Sequence, residues 1–293
     1  MSRISTSQIF QLAHTNVASA RERETQSAEK AATGKNLSRP SQDPAGWVQA
    51  AASKAQLAEG ESHLRVASLS RNFLEAAEDT LVQLQEGVQR AYELAIAGAS
   101  TGGGDRLALA AEARTISQAG SATVNAAFAG RYLFGGTQTA RPPFAEDGSF
   151  SGNQSPIEAP IARGLRVNVA PPTGKFVLGQ PDGDDVLTSL RQLATALEND
   201  DVDGVREAIE PLRRSNEQLS LARADIGGRL SLVEGAGDAQ AAGSINLQDS
   251  ISRIEDADVL KVFTDLARDQ TVFRAALQSS QRLLSSADAS FLK

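Results

Sequence analysis

The stretch LAEGESHLRVASLSRNFLEAAEDTLVQLQEGVQRAYELAIAG (Leu57–Gly98) carries a heptad pattern of apolar residues through six repeats. Alternating steps of three and four connect the following positions: Leu57, Gly60, Leu64, Ala67, Arg71, Leu74, Ala77, Leu81, Leu84, Val88, Ala91, Ala95 and Gly98. Arg71 alone puts a charge on this line, as a register device, as a buried ion-pair partner, or at the edge of the interface with its head in water. The edge position is the favoured one. The pattern predicts a single helix of roughly 60 Å that packs lengthwise against other helices.

The composition narrows the classes of function. Of 293 residues, 41% are apolar but only 4% are aromatic, which suits thin cores between close-packed helices better than a deep ligand cavity. The net charge of −7 disfavours nucleic acid as a partner. The chain has no cysteine, which excludes thiol catalysis, cysteine-ligated zinc and disulfides. The N-terminus has no apolar segment typical of a cleavable signal peptide, and no run is long enough for a membrane span.

Both ends of the chain carry further heptad lines. The C-terminal line consists of Phe263, Leu266, Gln270, Phe273, Leu277, Ser280, Leu284, Ala287 and Phe291. A weaker N-terminal line consists of Phe10, Ala13, Val17, Ala20, Glu24, Ser27 and Ala31. Each end is predicted to be an amphipathic helix that needs the other end, or a neighbouring subunit, to bury its stripe. We expect both ends to be disordered in a free monomer. Gln270 and Ser280 are hypothesised to fix the alignment of the C-terminal helix.

The segments between these helices have a different character. Gly34, Pro40 and Pro44 interrupt the helical pattern over residues 33–44, where Ser41 and Asp43 offer capping oxygens, and a hinge is expected there. A glycine-rich turn at 100–104 precedes a helix that Asp105 can cap and that is predicted to run to about Ala129. Residues 136–185 are rich in proline and glycine, and the runs 164–169 and 175–178 read as strands. Helical patterning then resumes, with Pro211 expected to kink the last long helix or mark its restart.

The sequence therefore predicts a mainly α fold, with long helical rods in a coiled-coil bundle, a small β-rich insertion and both termini at one pole. Five segments are expected: an N-terminal assembly helix and hinge (1–43), a helical hairpin (44–135), a β-rich outer domain (136–185), returning helices (186–254) and a C-terminal assembly helix (255–293). The β-rich domain is expected to project outward.

Three sequence motifs resemble the flagellin family of bacterial flagellar axial proteins. MSRISTSQIF together with TGKNLSRPSQDPAG (Thr33–Gly46) is similar to the N-terminal segment of the family, and RADIGGRL (Arg223–Leu230) is similar to its returning helix. Within the family, GRYLFGGTQTARPPF (Gly130–Phe144) resembles the hook–filament junction members more than the filament members.

The resemblance implies a non-enzymatic structural subunit of the bacterial flagellum, without cofactors, that functions in motility. Its implied partners are a neighbouring hook-associated protein, flagellin, copies of itself in a ring, and a cytosolic export chaperone at the C-terminal helix. It also implies type III export without a cleaved signal peptide, to an extracellular position at the hook–filament junction. The implied assembly residues are these: Ile4, Phe10, Ala13, Val17, Ala20, Phe263, Leu266, Phe273, Leu277, Leu284, Ala287 and Phe291.

Other functions have weaker support in the sequence. The acidic segment Asn199–Glu210 has the spacing of a calcium-binding EF-hand loop, but its first ligand is Asn and no second loop pairs with it. The alternative is an acidic turn in which Asp203 caps the following helix. His14 and His63 are expected to be surface residues, and Gly34-Lys35 lacks the rest of a phosphate-binding loop.

Two alternative identities stay open at this point. A filament flagellin has the same architecture but polymerises with itself, and a cytoplasmic coiled-coil scaffold would have no obvious place for the proline-rich insertion. Neither an acid–base pair nor a metal-binding constellation in the sequence favours an enzyme.

Overall fold

The computed structural model describes residues 6–100, 103–145, 148–180 and 183–291. In these ranges the chain forms the following helices: α1 (Thr6–Thr33), α2 (Pro44–Ser100), α3 (Gly103–Thr123), α4 (Thr173–Phe176), α5 (Val186–Glu198), α6 (Val202–Glu255) and α7 (Val259–Phe291). Two small antiparallel sheets of two strands each complete the secondary structure. The predicted mainly α fold with a small β region is confirmed.

The chain divides into two compact units. The terminal unit comprises Met1–Ala58 and Ser244–Lys293, and the central unit comprises Glu59–Gly243. Helices α2 and α6 contribute residues to both units. Among the described residues, no helix is long and apolar enough to cross a membrane.

The heptad line of α2 forms one side of the hydrophobic core of the central unit. From Leu74 to Gly98 every position on the line is buried, and Leu74, Leu81 and Leu84 are at most 2% exposed. Arg71 is exposed and pairs with Glu75 of the next turn (3.4 Å), as the edge position predicts. The long packed helix expected from this pattern is confirmed.

Three further helices of the central unit supply the other side of this core. Leucines of α5 and α6 are fully buried against it: Leu187, Leu190, Leu193, Leu197, Leu212 and Leu219. Helices α2 and α6 run antiparallel, because Gln89 contacts Asn216 whereas Gln85 contacts Ser220. A Cβ added at Gly98 would lie 2.6 Å from Leu197, so glycine lets α2 and α5 approach closely.

Helix α3 ends at Thr123, so its predicted end near Ala129 is wrong. Asn125 diverts the chain, since its side chain accepts a hydrogen bond from the Phe144 N–H (3.0 Å) and donates one to the Phe144 carbonyl (2.9 Å). Strands β1 (Ala127–Phe128) and β2 (Arg131–Tyr132) follow as a hairpin. Its two turn residues, Ala129 and Gly130, have φ of 49° and 77°, the left-handed pair that a tight hairpin turn requires.

The inserted region contains one further hairpin, made of β3 (Glu158–Ala162) and β4 (Leu165–Asn168). The predicted strand at 164–169 is thus present, but the one at 175–178 is wrong, because α4 includes Lys175 and Phe176 and Val177 follows with helical backbone angles. Phe176 and Val177 are both buried, and a strand would point these successive side chains to opposite faces. A helical turn after Pro172 lets both reach the core.

The hairpin β3–β4 lies against the helices of the central unit. The ring nitrogen Nδ1 of His63 on α2 contacts the Pro160 carbonyl (3.1 Å). Arg229 on α6 donates to the carbonyls of Asn168 (3.0 Å) and Ala170 (2.8 Å). The region expected to project outward is held to α2 and α6 through these contacts.

Helix α6 continues through Pro211, so of the two outcomes expected there, a kink or a restart, the restart does not occur. Buried neighbours on either side, Ala208 and Leu212, hold both halves of the helix in the core. The helix starts with Asp201, whose carboxylate accepts the Gly204 N–H (3.0 Å), rather than with the predicted cap Asp203.

The expected hinge connects α1 and α2 in the terminal unit. Gly34 has φ of 65° and ends α1, and the Asp43 carboxylate accepts the N–H groups of Ala45 (3.1 Å) and Gly46 (3.0 Å) at the start of α2. Asp43 is therefore the cap of the two residues considered from the sequence.

Candidate assembly interface

Helices α1 and α7 pack against each other in the terminal unit. The sequence predicts disorder for isolated ends, and the structure differs because each helix covers part of the stripe of the other. On α1, Ala13 and Ala20 are buried and Val17 is half-buried, whereas Phe10 is 45% exposed. The contact between the helices therefore uses small side chains of the N-terminal line and leaves its phenylalanine in solvent.

At every second described position of the predicted line, the residue of α7 that is less exposed is the one just before the predicted residue in the sequence. Leu266 and Phe273 are half-buried where the line places them. Val262 and Asp269 are the buried residues in the described part of α7, while Phe263 (56% exposed) and Leu277 (38% exposed) face solvent. Helix α7 thus has two adjacent apolar strips, of which α1 covers only one.

The strip that α1 does not cover is a candidate surface for assembly. We call it the uncovered flank of α7, consisting of Val259, Leu260, Phe263 and Leu277. Leu260 is 81% exposed and Val259 is 62% exposed. Phe263 follows Val259 by four residues and Leu260 by three, and Leu277 follows Phe263 by two heptads, so the four residues lie on one side of the helix. Large exposed apolar side chains on one side are typical of an interaction surface.

Part of the predicted assembly set cannot be placed. Ile4 lies outside the described residues. Leu284, Ala287 and Phe291 lie within the bounds of α7, but their side chains are outside the described part of the chain. The interface is accordingly described with residues of α1 from Phe10 to Ser27 and with residues 259–283 of α7.

A polar pair lies inside the contact between the two helices. The Ser27 hydroxyl donates a hydrogen bond to the Asp269 carboxylate (2.6 Å), and the Asp269 side chain is only 10% exposed. Gln270, which was hypothesised to fix the alignment, is exposed, whereas Ser280 is half-buried. A buried polar group satisfied at only one alignment of two helices favours that register. Asp269 is the residue that reasoning from the sequence missed, because its charge hid it from an apolar pattern.

A buried carboxylate holds the link between the assembly helices. Glu255, at the end of α6, is 4% exposed, and its carboxylate accepts hydrogen bonds from Lys54 of α2 and Lys35 of the hinge (3.1 Å). Its carbonyl accepts the N–H groups of Asn36 (2.7 Å) and Leu37 (3.3 Å). The ammonium groups of Lys54 and then Lys35 hold the pKa of Glu255 below its usual value, although burial opposes this shift. No sequence signal locates this cluster, since its three charges are far apart in the chain.

The acidic segment Asn199–Glu210 has the spacing of a calcium-binding loop, and several of its side chains have other partners in the structure. In the described ranges, no group of three or more acidic or histidine side chains could hold a metal ion. In the acidic segment, Asp203 pairs with Arg206 (3.2 Å), Glu210 pairs with Arg213 (2.6 Å) and Asp201 caps α6. The segment is therefore organised as a helix start.

Comparisons with known proteins fit this description. The family model for the bacterial flagellin N-terminal helical region matches residues 4–139. The chain is 25% identical over 309 residues to flagellar hook-associated protein 3 of Salmonella typhimurium, covering 96% of this chain and 95% of that protein.

Solved structures share the fold at low identity. A candidate flagellar hook-associated protein from Vibrio parahaemolyticus matches with a TM-score of 0.67 and 16% identity, over 73% of this chain and all of that chain. The flagellar junction protein FlgL from Legionella pneumophila matches with a TM-score of 0.57 and 13% identity, over 71% of this chain and all of that one.

Proposed function

We propose that this chain is a flagellin-family protein, a structural axial subunit of the bacterial flagellum that joins the hook-associated proteins to the flagellin filament. The observation that carries this proposal is the full-length similarity to hook-associated protein 3, together with paired end helices that leave an apolar flank open. A flank of this kind is satisfied when it packs against helices of adjacent subunits.

The proposed mechanism is mechanical. The end helices α1 and α7 bundle with those of neighbours through Phe10 and the uncovered flank. The neighbours are a hook-associated protein on one side, flagellin on the other, and copies of this chain in a ring. Three residues of the predicted set lie in the contact between α1 and α7: Ala13, Ala20 and Phe273. They hold the two helices together and are not part of the surface that binds neighbouring subunits.

Export and location belong to the same proposal. The subunit leaves the cell through the flagellar type III channel without a cleaved signal peptide, with a cytosolic chaperone covering the C-terminal helix. The exposed Leu260 and Phe263 support the chaperone, since an apolar strip in the cytosol needs a cover before assembly. The absence of cysteine from the sequence suits a chain that must unfold to pass a narrow channel.

A non-enzymatic role is supported by how the polar side chains are used. Four carboxylates show this use: Asp200 pairs with Arg106, Glu210 with Arg213 and Glu255 with Lys35, and Asp201 accepts a helix N–H group. They act in packing and capping.

The proposal is tested by locating the protein on flagella. In the source bacterium, deletion of the gene is expected to leave hooks without filaments, and gold-labelled antibody in the complemented strain is expected to mark a single band between hook and filament. Label along the whole filament would instead identify a filament flagellin. Normal filaments in the deletion strain, with no label on flagella, would refute the proposal.

A further inference from the structure

The hairpin β3–β4 presents two arginines to solvent. Arg163, beside the turn glycine Gly164, has a side chain that is 83% exposed and lies 3.6 Å from Glu59. Arg166 on β4 is exposed, while its neighbours on either side, Leu165 and Val167, turn toward the core.

A groove between α2 and α6 presents the opposite charge. It has a volume of about 320 Å³ and is lined by Leu64, Ala67, Ser68, Arg71, Val233, Glu234, Gly237 and Asp238. Arg71 is paired with Glu75, whereas Glu234 and Asp238 are exposed and have no ion pair among the described residues. A Cβ added at Gly237 would meet nothing within 4 Å, so the floor of the groove is open.

The hairpin and the groove lie at a similar height along the same two helices. On α2 the hairpin contacts Glu59 and His63, and the groove begins at Leu64, so the two sites fall within about 18 Å along the helix axis. On α6 the hairpin is tied to Arg229, and the groove carboxylates follow at Glu234 and Asp238.

They nevertheless lie on different flanks of the α2–α6 pair. Successive residues of a helix are turned by about 100°, so His63 and Leu64 point in clearly different directions. Arg229 and Glu234, five residues apart, differ by about 140°. One flank is covered by the basic hairpin, and the other is the open acidic groove.

We propose that in the ring of copies the β3–β4 hairpin of one subunit docks in the α2–α6 groove of the next, with Arg163 and Arg166 facing Glu234 and Asp238. The proposal rests on the proposed function, since a ring must exist for the contact to form. Two different surfaces on one subunit give a head-to-tail contact, which is the kind that closes into a ring by rotation. Because the hairpin and the groove lie at a similar height along α2 and α6, neighbouring subunits make this contact without being displaced along the helix axes.

The charged side chains determine the orientation of the two subunits at this contact more than the affinity between them. Ion pairs at an exposed surface contribute little individually, while complementary potentials steer encounter and exclude wrong partners. The terminal helices therefore supply the main binding surface, and the hairpin selects which flank of the neighbour it meets. Because salt screens such pairs, the contact is expected to weaken at high ionic strength.

Site-specific cross-linking tests the contact, since the natural chain has no cysteine. The full chain carrying Arg166→Cys and Asp238→Cys is expressed in the deletion strain, and isolated flagella are treated with a short bismaleimide. A bismaleimide is used because a disulfide needs Cβ atoms about 3.5–4.5 Å apart, closer than an arginine–carboxylate pair brings them. Denaturing gels and mass spectrometry are expected to show a ladder of this chain linked to itself. The control variant pairs Arg166→Cys with Arg114→Cys, an exposed arginine on α3, and is expected to give no ladder.

Each outcome of these experiments either supports or overturns the proposed contact. Assembled, motile flagella without a ladder, with equal products from the control, or with flagellin cross-linked in place of this chain would overturn the contact and leave the proposed function intact. If the cysteine variant fails to assemble, charge reversal replaces it. Arg166→Glu is expected to reduce attached filaments at least twofold, and Arg166→Glu with Asp238→Arg is expected to restore them. No reduction by the single variant, or no recovery by the double variant, would also overturn it.

Discussion

The hydrogen bond between Ser27 and Asp269 is a polar contact inside a narrow, mainly apolar interface. Asp269→Ala removes a charge-assisted bond and strands the Ser27 hydroxyl, so we expect a loss of about 1–2 kcal/mol in the pairing of α1 with α7. A double-mutant cycle with Ser27→Ala, measured by urea unfolding, is expected to give a coupling energy of about 1 kcal/mol.

The neighbouring residue provides the control for this prediction. Gln270 is exposed, so Gln270→Ala is expected to change the free energy of unfolding by at most about 0.5 kcal/mol. Equal effects of the two substitutions would mean that Asp269 does not act through the interface.

Glu255 makes the terminal unit sensitive to acid. Its lysine partners lower its pKa in the folded chain, so its carboxylate stabilises the fold above the unfolded pKa of about 4.3. That contribution is lost as the pH falls through the lower folded value. At neutral pH, Glu255→Gln is expected to cost about 2 kcal/mol, since two ammonium groups lose a buried partner. The difference from the natural chain should shrink as the pH drops below about 4.

The single tryptophan allows this loss to be measured locally. Trp47 is half-buried in the terminal unit, and its fluorescence reports that unit while circular dichroism reports the whole chain. Asp249→Asn, on the same helix but in an exposed pair with Arg253, serves as the control and should change stability by less than about 0.5 kcal/mol. A pH-independent cost for Glu255→Gln would contradict the assignment.

At the scale of helices, periodicity predicts α2 well and α7 only in part. Helix α2 packs against α3, α5 and α6, and its heptad line faces this core, whereas Leu69 and Ile96 lie off the line and are exposed. Helix α7 has one partner in the chain and two adjacent apolar strips. A sequence pattern selects the larger side chains, Phe263 and Leu277, whereas α1 packs against Val262 and the charged Asp269.

The errors at shorter elements have local causes. The run 175–178 alternates like a strand, but the core reaches it from one side and Pro172 starts a helical turn. The end of α3 depends on Asn125 bonding to Phe144, a contact that no local sequence pattern contains. Likewise, the cluster at Glu255 joins three distant segments, so only the folded chain brings it together.

The uncovered flank of α7 should separate stability from assembly. Phe263→Ser with Leu277→Ser removes exposed apolar surface, so we expect a change of at most about 0.5 kcal/mol in unfolding and a strong loss of filament attachment. Phe273→Ser, in the covered strip, is the matched control and should destabilise the α1–α7 pair by about 1–3 kcal/mol. Normal attachment in the flank variant would remove these two residues from the interface.

At the scale of the whole molecule, the two units differ in what they need to fold. The buried core cluster of the central unit extends from Ala67 to Val233, so none of its members lies in α1 or α7. The terminal unit, in contrast, is built from the two ends of the chain and has α7 as the partner of α1. Loss of one end of the chain is therefore expected to destabilise the terminal unit and to leave the central unit folded.

Deleting residues 264–293 tests this division. Most of α7 is removed, so α1 loses the partner for Ala13 and Ala20, and Phe273 and Leu277 of the assembly set are lost. We expect the truncated chain to keep the cooperative melting of the central unit by circular dichroism, to show altered Trp47 fluorescence, and to leave hooks without filaments. Deleting 287–293 alone keeps the described contacts of α7 with α1 and should keep the Trp47 signal. A 264–293 deletion that still attaches filaments would show that the C-terminal helix is dispensable, and a central unit that melts with it would show that the two units fold as one.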